Sequence, residues 1–180
     1  RAIHEAYVKA GADIILTNTF GANAFKLAKF GLADEVDFIN RAAAEIAVSV
    51  AGEKGYVAGD IGPSGEFMEP LGLIAESQMR AAFAQQAKAL ADGGVDLIII
   101  ETMMDLNEMK TAIKAAKSST DLVVIASMSF NIDRHGFRTM MGVSPTDAAF
   151  GMLEAGADIG VGPRCRELAL QAGQRRVHRP

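Results

Sequence analysis

The stretch GGVDLIIIETMMDLNEMKTAIKAAK, Gly93 to Lys117, decides the fold. Val95 to Ile99 are almost wholly apolar, the mark of a strand buried on both faces in a parallel sheet. The run stops at Glu101-Thr102, so a carboxylate stands where the strand leaves the core. A helix then opens at Asp105, with Glu108 three residues on in the pattern of a capping box, and Leu106, Met109, Ile113 and Ala116 follow at helical spacing. Strand, short loop and helix, with an acid at the strand's C-terminal end, is the repeating unit of a parallel α/β barrel. Chemistry in such barrels sits at that end.

The same grammar recurs on both sides. Gly11-Ala-Asp-Ile-Ile, Gly94-Val-Asp-Leu-Ile and Gly156-Ala-Asp-Ile each follow an Ala-rich helical pattern and lead into a β-branched run. The Gly suits the position that closes a helix, and the next residues begin a strand. Apolar runs at Tyr56–Ile61 and Leu122–Phe130 lie between them. This predicts five strands, near 13–18, 56–61, 95–101, 122–130 and 157–161, and helices near 34–52, 76–92, 105–117 and 145–155. Ser144, Pro145 and Asp147 mark the start of the last helix. Strict alternation implies a parallel sheet. No Gly-x-Gly-x-x-Gly follows a strand and every strand end carries its own polar residues, so the expected architecture is a partial (β/α)8 TIM-type barrel.

Length and composition bound the rest. At 180 residues the chain can bury one real core. A net charge of −4 argues against a nucleic-acid or anionic-membrane surface. No apolar run approaches a membrane span, and a single Cys is compatible with a reducing, cytosolic setting. The chain opens at Arg1 in IHEAYVKAGAD, which reads as the end of a helix, so a piece of a longer protein is expected.

The expected strand ends bring polar groups to one face: Thr17-Asn18-Thr19-Phe20, Asp60-Ile61-Gly62-Pro63-Ser64-Gly65, Glu101-Thr102, and Ser127 to Asn131. A carboxylate and several backbone amides suit a zwitterion, with Glu101 for an ammonium and amides for a carboxylate. Asn18 and Asp60 can equally cap loops, and Gly62 to Gly65 can be only a tight turn. His4, His135 and His178 are too far apart in sequence for a metal pair, and the Met pairs at 103–104 and 140–141 read as packing.

Together GADIILTNTFGAN, VAGDIGPSGEFMEPLG, GVDLIIIETMMDLNEMKTAI and MSFNIDRHGFRTMMGVSPTDA resemble the homocysteine S-methyltransferase family, in its cobalamin-dependent branch. The resemblance implies a (β/α)8 barrel that transfers a methyl group to the thiol of homocysteine, giving methionine. It implies zinc held by three cysteine thiolates, methylcobalamin as donor, and cobalamin- and folate-binding domains in the full-length chain. By the same likeness Glu101 holds the substrate's amino group, Asn18, Thr19 and Phe20 lie beside homocysteine, and Asp60, Gly62 and Ser64 border the pocket.

The chain departs from the family after Ile159. Gly156-Ala-Asp-Ile runs into GVGPRCRELALQAGQRRVHRP, where Cys165 falls near the expected first zinc ligand in altered surroundings, and the later cysteine pair is missing. The expected organisation is therefore 1–159, the central part of the barrel, and 160–180, an Arg-rich tail read from a shifted frame or disordered. This piece alone is expected to be inactive. A different barrel enzyme (a pterin-binding methyltransferase or an aldolase) and a non-catalytic amino-acid-binding or assembly module are the rival readings.

Overall fold

A computed structural model describes residues 1–52, 55–134 and 136–161. Five strands form one parallel sheet in chain order: β1 (Ile14–Leu16), β2 (Tyr56–Ile61), β3 (Leu97–Met103), β4 (Val123–Met128) and β7 (Ile159–Val161). Between them run α1 (Ala2–Lys9), α2 (Ala24–Ala28), α3 (Val36–Ala51), α4 (Glu76–Asp92), α5 (Leu106–Ser119) and α6 (Pro145–Ala155). The long helices pack as a layer in sequence order, α3 on α4, α4 on α5, α5 on α6. Every expected strand and helix is present. β4 stops at Met128, short of the expected 130, and an added hairpin that the sequence reading did not foresee, β5 (Asn131–Asp133) with β6 (Gly136–Arg138), pairs Ile132 with Phe137.

The Gly-x-Asp phrase has a structural reason. Gly94 and Gly156 take φ of +87° and +101°, the left-handed turn that ends α4 and α6 at no Cβ cost. The aspartates then tie neighbouring strands at their starts. Asp96 Oδ2 accepts from the Val57 N–H at 2.7 Å, and Asp158 Oδ2 accepts from the Val124 N–H at 2.8 Å. A charged acceptor on a backbone donor is a strong hydrogen bond, and here it holds the register of the sheet.

The two faces of the sheet differ. Ile15, Val57, Ile98, Ile100, Val124 and Ala126 are buried under the helices with Phe83, Leu90, Met109 and Ile113. The alternate residues belong to the other face, and register places Ile14 beside Tyr56, Leu97 beside Val123, and Ile125 beside Ile159. Ile14, Tyr56, Val123 and Ile159 on that face are 44–48% exposed. This corrects the expectation of a strand buried on both sides: among the described residues helices cover one face only. A five-stranded parallel sheet with helices on one side is an arc of a barrel, and its bare face is the barrel's inside. Of the expected tail, Gly160 and Val161 belong to β7, and 162–180, with Cys165 and His178, lie outside the described residues, as does His135.

Candidate active site

Because the strands are parallel, the loops after β1, β2, β3 and β4 all emerge at one end of the sheet. Glu101 lies on the inner face there, half-buried, on the side that Leu97 and Ile99 share. It is not the strand's last residue, as the apolar run implied. β3 continues to Met103 through a bulge: Ile100 pairs with Ala126 and Met103 with Met128, three steps against two. The extra residue is Thr102, at φ +62°. A β-branched side chain in the left-handed region is strained, and such strain persists where the surroundings over-determine it. The bulge returns Met103 to the core, fully buried, while Glu101 stays on the inner face.

Asp60 stands next to it. Asp60 pairs with Ile99, two residues before Glu101, so both carboxylates project from the same face of adjacent strands. Its backbone is held at both ends. The Asp60 N–H donates to Thr17 Oγ1 at 2.9 Å, and the Thr19 hydroxyl donates to the Asp60 carbonyl at 2.7 Å, with the two hydroxyls 2.6 Å apart. The residue is 6% exposed, and Oδ1 is buried without a hydrogen-bond partner among the described residues. Burial, and then the field of Glu101, push the Asp60 carboxyl up to about 7.

The loops after β1 and β2 are laced together. The Gly62 N–H donates to the Phe20 carbonyl at 3.2 Å, and Asn23 Nδ2 donates to the Pro63 carbonyl at 3.2 Å. A Cβ on Gly62 would come within 2.6 Å of the Phe20 ring and carbonyl oxygen, so only glycine lets these loops meet. Lys26 Nζ sits 4.8 Å from the centre of the Phe20 ring. Ser64 is buried, its N–H and hydroxyl donating to Glu108 Oε1 at 2.7 and 2.6 Å. Burial raises the Glu108 carboxyl above its ordinary range, against those two hydrogen bonds.

Of the expected residues, Glu101, Asp60, Thr19, Phe20, Gly62 and Ser64 gather at this end, and Asn18 is exposed on the rim. The hydroxyls of Thr19 and Ser64 are already engaged, with Asp60 and Glu108. Glu108 does not close a capping box. Asp105 caps α5 alone, accepting from the Asn107 N–H, and Glu108 reaches across to Ser64. Met103 is core, whereas Met104, Met140 and Met141 line a cavity of 190 Å³ beside Pro63 and Glu108. Sequence reasoning missed Gln86 and Asn40. Gln86 Nε2 donates to the Thr19 carbonyl at 2.9 Å and to Asn40 Oδ1, and Asn40 Nδ2 donates to the Ala22 carbonyl at 2.8 Å, bracing the first loop from behind. The signal was there: each is a polar residue in the buried stripe of its helix.

The family model for homocysteine S-methyltransferase matches residues 1–172. The chain belongs to that family. Methionine synthases of Mycobacterium leprae and Mycobacterium tuberculosis are each 36% identical to it over 121 residues, 64% of this chain and 10% of theirs. The chain therefore spans about a tenth of the length of these relatives. The metallated form of the homocysteine methyltransferase MmuM from Escherichia coli superposes with a TM-score of 0.70 at 19% identity, covering 86% of this chain and 58% of that one. An oxaloacetate acetylhydrolase superposes over 94% of the chain and 59% of its own, with a TM-score of 0.56 at 15% identity. The solved structures carry the fold alone. They agree with an arc of roughly five strands in an eight-stranded barrel.

Proposed function

We propose that this chain is the amino-acid-gripping part of a homocysteine S-methyltransferase barrel, and that the whole protein methylates the homocysteine thiol to give methionine, as its methionine synthase relatives are named for doing. The observation that carries the reading is Glu101, a carboxylate on the inner face at the C-terminal mouth of the sheet, kept there by a strained bulge. In this reading Glu101 accepts the substrate's ammonium, and Phe20 and the Asp60–Gly65 loop wall the amino-acid end. Asn18 lies at the rim. Thr19 and Ser64 act through Asp60 and Glu108, which their hydroxyls engage.

The zinc implied by the resemblance would supply a thiolate from the substrate thiol. The residues present do not fit it. Three thiolates are required, the chain has one Cys, Cys165, and no cluster of three His, Cys, Asp or Glu side chains occurs among the described residues. Methylcobalamin and the cobalamin- and folate-binding domains belong to the whole protein in this proposal. A cytoplasmic setting belongs to it too, since a free thiol substrate stays reduced there. No helix among the described residues is long and apolar enough to cross a membrane.

Titration calorimetry with L-homocysteine, with and without zinc, tests the reading. Zinc-independent binding that Glu101→Gln abolishes supports it; binding indifferent to Glu101→Gln refutes it. The bare sheet face favours a second reading, an assembly module that closes against another chain. Sedimentation at rising concentration separates the two: a stable oligomer that does not bind homocysteine supports the module.

A further inference from the structure

We propose that Asp60 and Glu101 form a two-carboxylate subsite for one cationic group, the primary ammonium of the amino-acid ligand, and that the pair gives up a shared proton to solvent when that group arrives. The inference rests on the reading of Glu101 as the ammonium acceptor, and adds a second acid and the proton it carries.

Geometry brings the two together. They project from one face of adjacent strands, offset by two residues, which puts their backbones roughly 8 Å apart and their side chains within reach of a common ligand. The Asp60 backbone is fixed at this place in the strand, because Thr17 and Thr19 hold its N–H and carbonyl. Its Oδ1 is buried and receives no hydrogen bond from the described residues, an acceptor without a donor among them. A buried acceptor is ordinarily satisfied, and an ammonium brings three donors.

The charges around Asp60 leave the pair without a counter-ion among the described residues. On β3 the facing acid is Glu101, the charged group whose field acts on Asp60. The loop after β1 presents the neutral Thr17 and Thr19. Lys26, on α2, is coupled to Glu108 and Lys29, and Glu108, on α5, is tied to Ser64. Buried beside another carboxyl, Asp60 keeps its proton up to about pH 7. An incoming cation reverses that balance. In the empty site Asp60 holds the proton, and in the filled site it faces the –NH3⁺ as an anion, the proton having left to buffer. A ligand without the ammonium has no means of displacing it.

The experiment is titration calorimetry of the intact chain with L-homocysteine, at pH 6, 7 and 8, in phosphate and in Tris, whose ionisation enthalpies differ. The expected result is net proton release that is nearly complete at pH 6, about half a proton at pH 7 and small at pH 8, with affinity falling about tenfold from pH 8 to pH 6. Asp60→Asn should bind more weakly, with no release and a flat pH profile over that range. 4-Mercaptobutanoate, which lacks the ammonium, should displace no proton. Binding of homocysteine without proton release, or release unchanged in Asp60→Asn, overturns the proposal and leaves Glu101 as the acceptor. No binding at any of these pH values overturns the parent reading and the proposal with it. Carboxyl ¹³C NMR of the ligand-free chain is an independent check that needs no Asp60 variant. The Asp60 resonance should titrate near neutrality and shift to lower pH in Glu101→Gln; titration in the ordinary aspartate range overturns the shared proton.

Discussion

Replacing Asp60 with Asn should stabilise the protein, and by an amount that depends on pH. The Asp60 carboxyl is raised from 3.8 to about 7 by burial and by Glu101. The sign follows from where the proton sits. Below pH 3.8 both folded and unfolded chains hold it, and the carboxyl carries no penalty. Between 3.8 and about 7 the unfolded chain releases the proton while the folded chain keeps it, so stability falls as pH rises. Above about 7 both are ionised and the loss is complete. A difference of about three pH units corresponds to about 4 kcal/mol at 1.36 kcal/mol per unit. Asn is nearly isosteric and never ionises, so Asp60→Asn escapes this loss. Urea unfolding of wild type and variant at pH 5, 6.5 and 8 measures it. The variant's advantage should widen steadily with pH and approach about 4 kcal/mol at pH 8. An advantage that stays constant from pH 5 to 8, or a wild type that gains stability on going from 5 to 8 relative to the variant, would refute the reasoning.

Gly62→Ala places a methyl group against the Phe20 ring and carbonyl oxygen, and should cost about 1–3 kcal/mol in urea unfolding, because a backbone atom cannot step aside as a side-chain tip can. Glu108→Leu strands the buried N–H of Ser64, leaves its hydroxyl only the 3.3 Å bond to the Glu66 carbonyl, and should cost about 1–3 kcal/mol. Glu108→Gln keeps an acceptor there and should cost clearly less; equal losses would show that the Ser64 contact contributes nothing. Incubated with zinc, homocysteine and methylcobalamin, the 180-residue chain should form negligible methionine, since one Cys cannot make a three-thiolate site. Robust turnover would sink that expectation.

Much of the site was legible in one dimension because strand ends are written locally. The apolar run before Glu101 announced a buried strand, and strands in parallel order deliver their C-terminal residues to one end. Glu101, Asp60, Phe20 and Gly62 could be named on that ground. What each polar group bonds to could not. Glu108 three residues after Asp105 reads as a cap, yet its carboxylate spans 44 residues of sequence to Ser64. Thr19 reads as a pocket hydroxyl and is already engaged by Asp60, 41 residues away. Gln86 and Asn40 were hidden inside helical stripes whose period says which face is buried and nothing of what lies opposite.

The linear order of amino acids determined the alternation of strands and helices, the turns after α4 and α6, the family, and the acid at the mouth, since all of these follow from short-range periodicity, glycine's conformational freedom and local motifs. The tertiary structure alone decided that one face of the sheet is bare among the described residues, that β3 bulges at Thr102, and that Asp60 holds a desolvated carboxyl beside Glu101. The physical reason is range. Propensity and periodicity act over a few residues, whereas burial, register and the field of one carboxylate on another depend on which distant segments the fold sets side by side.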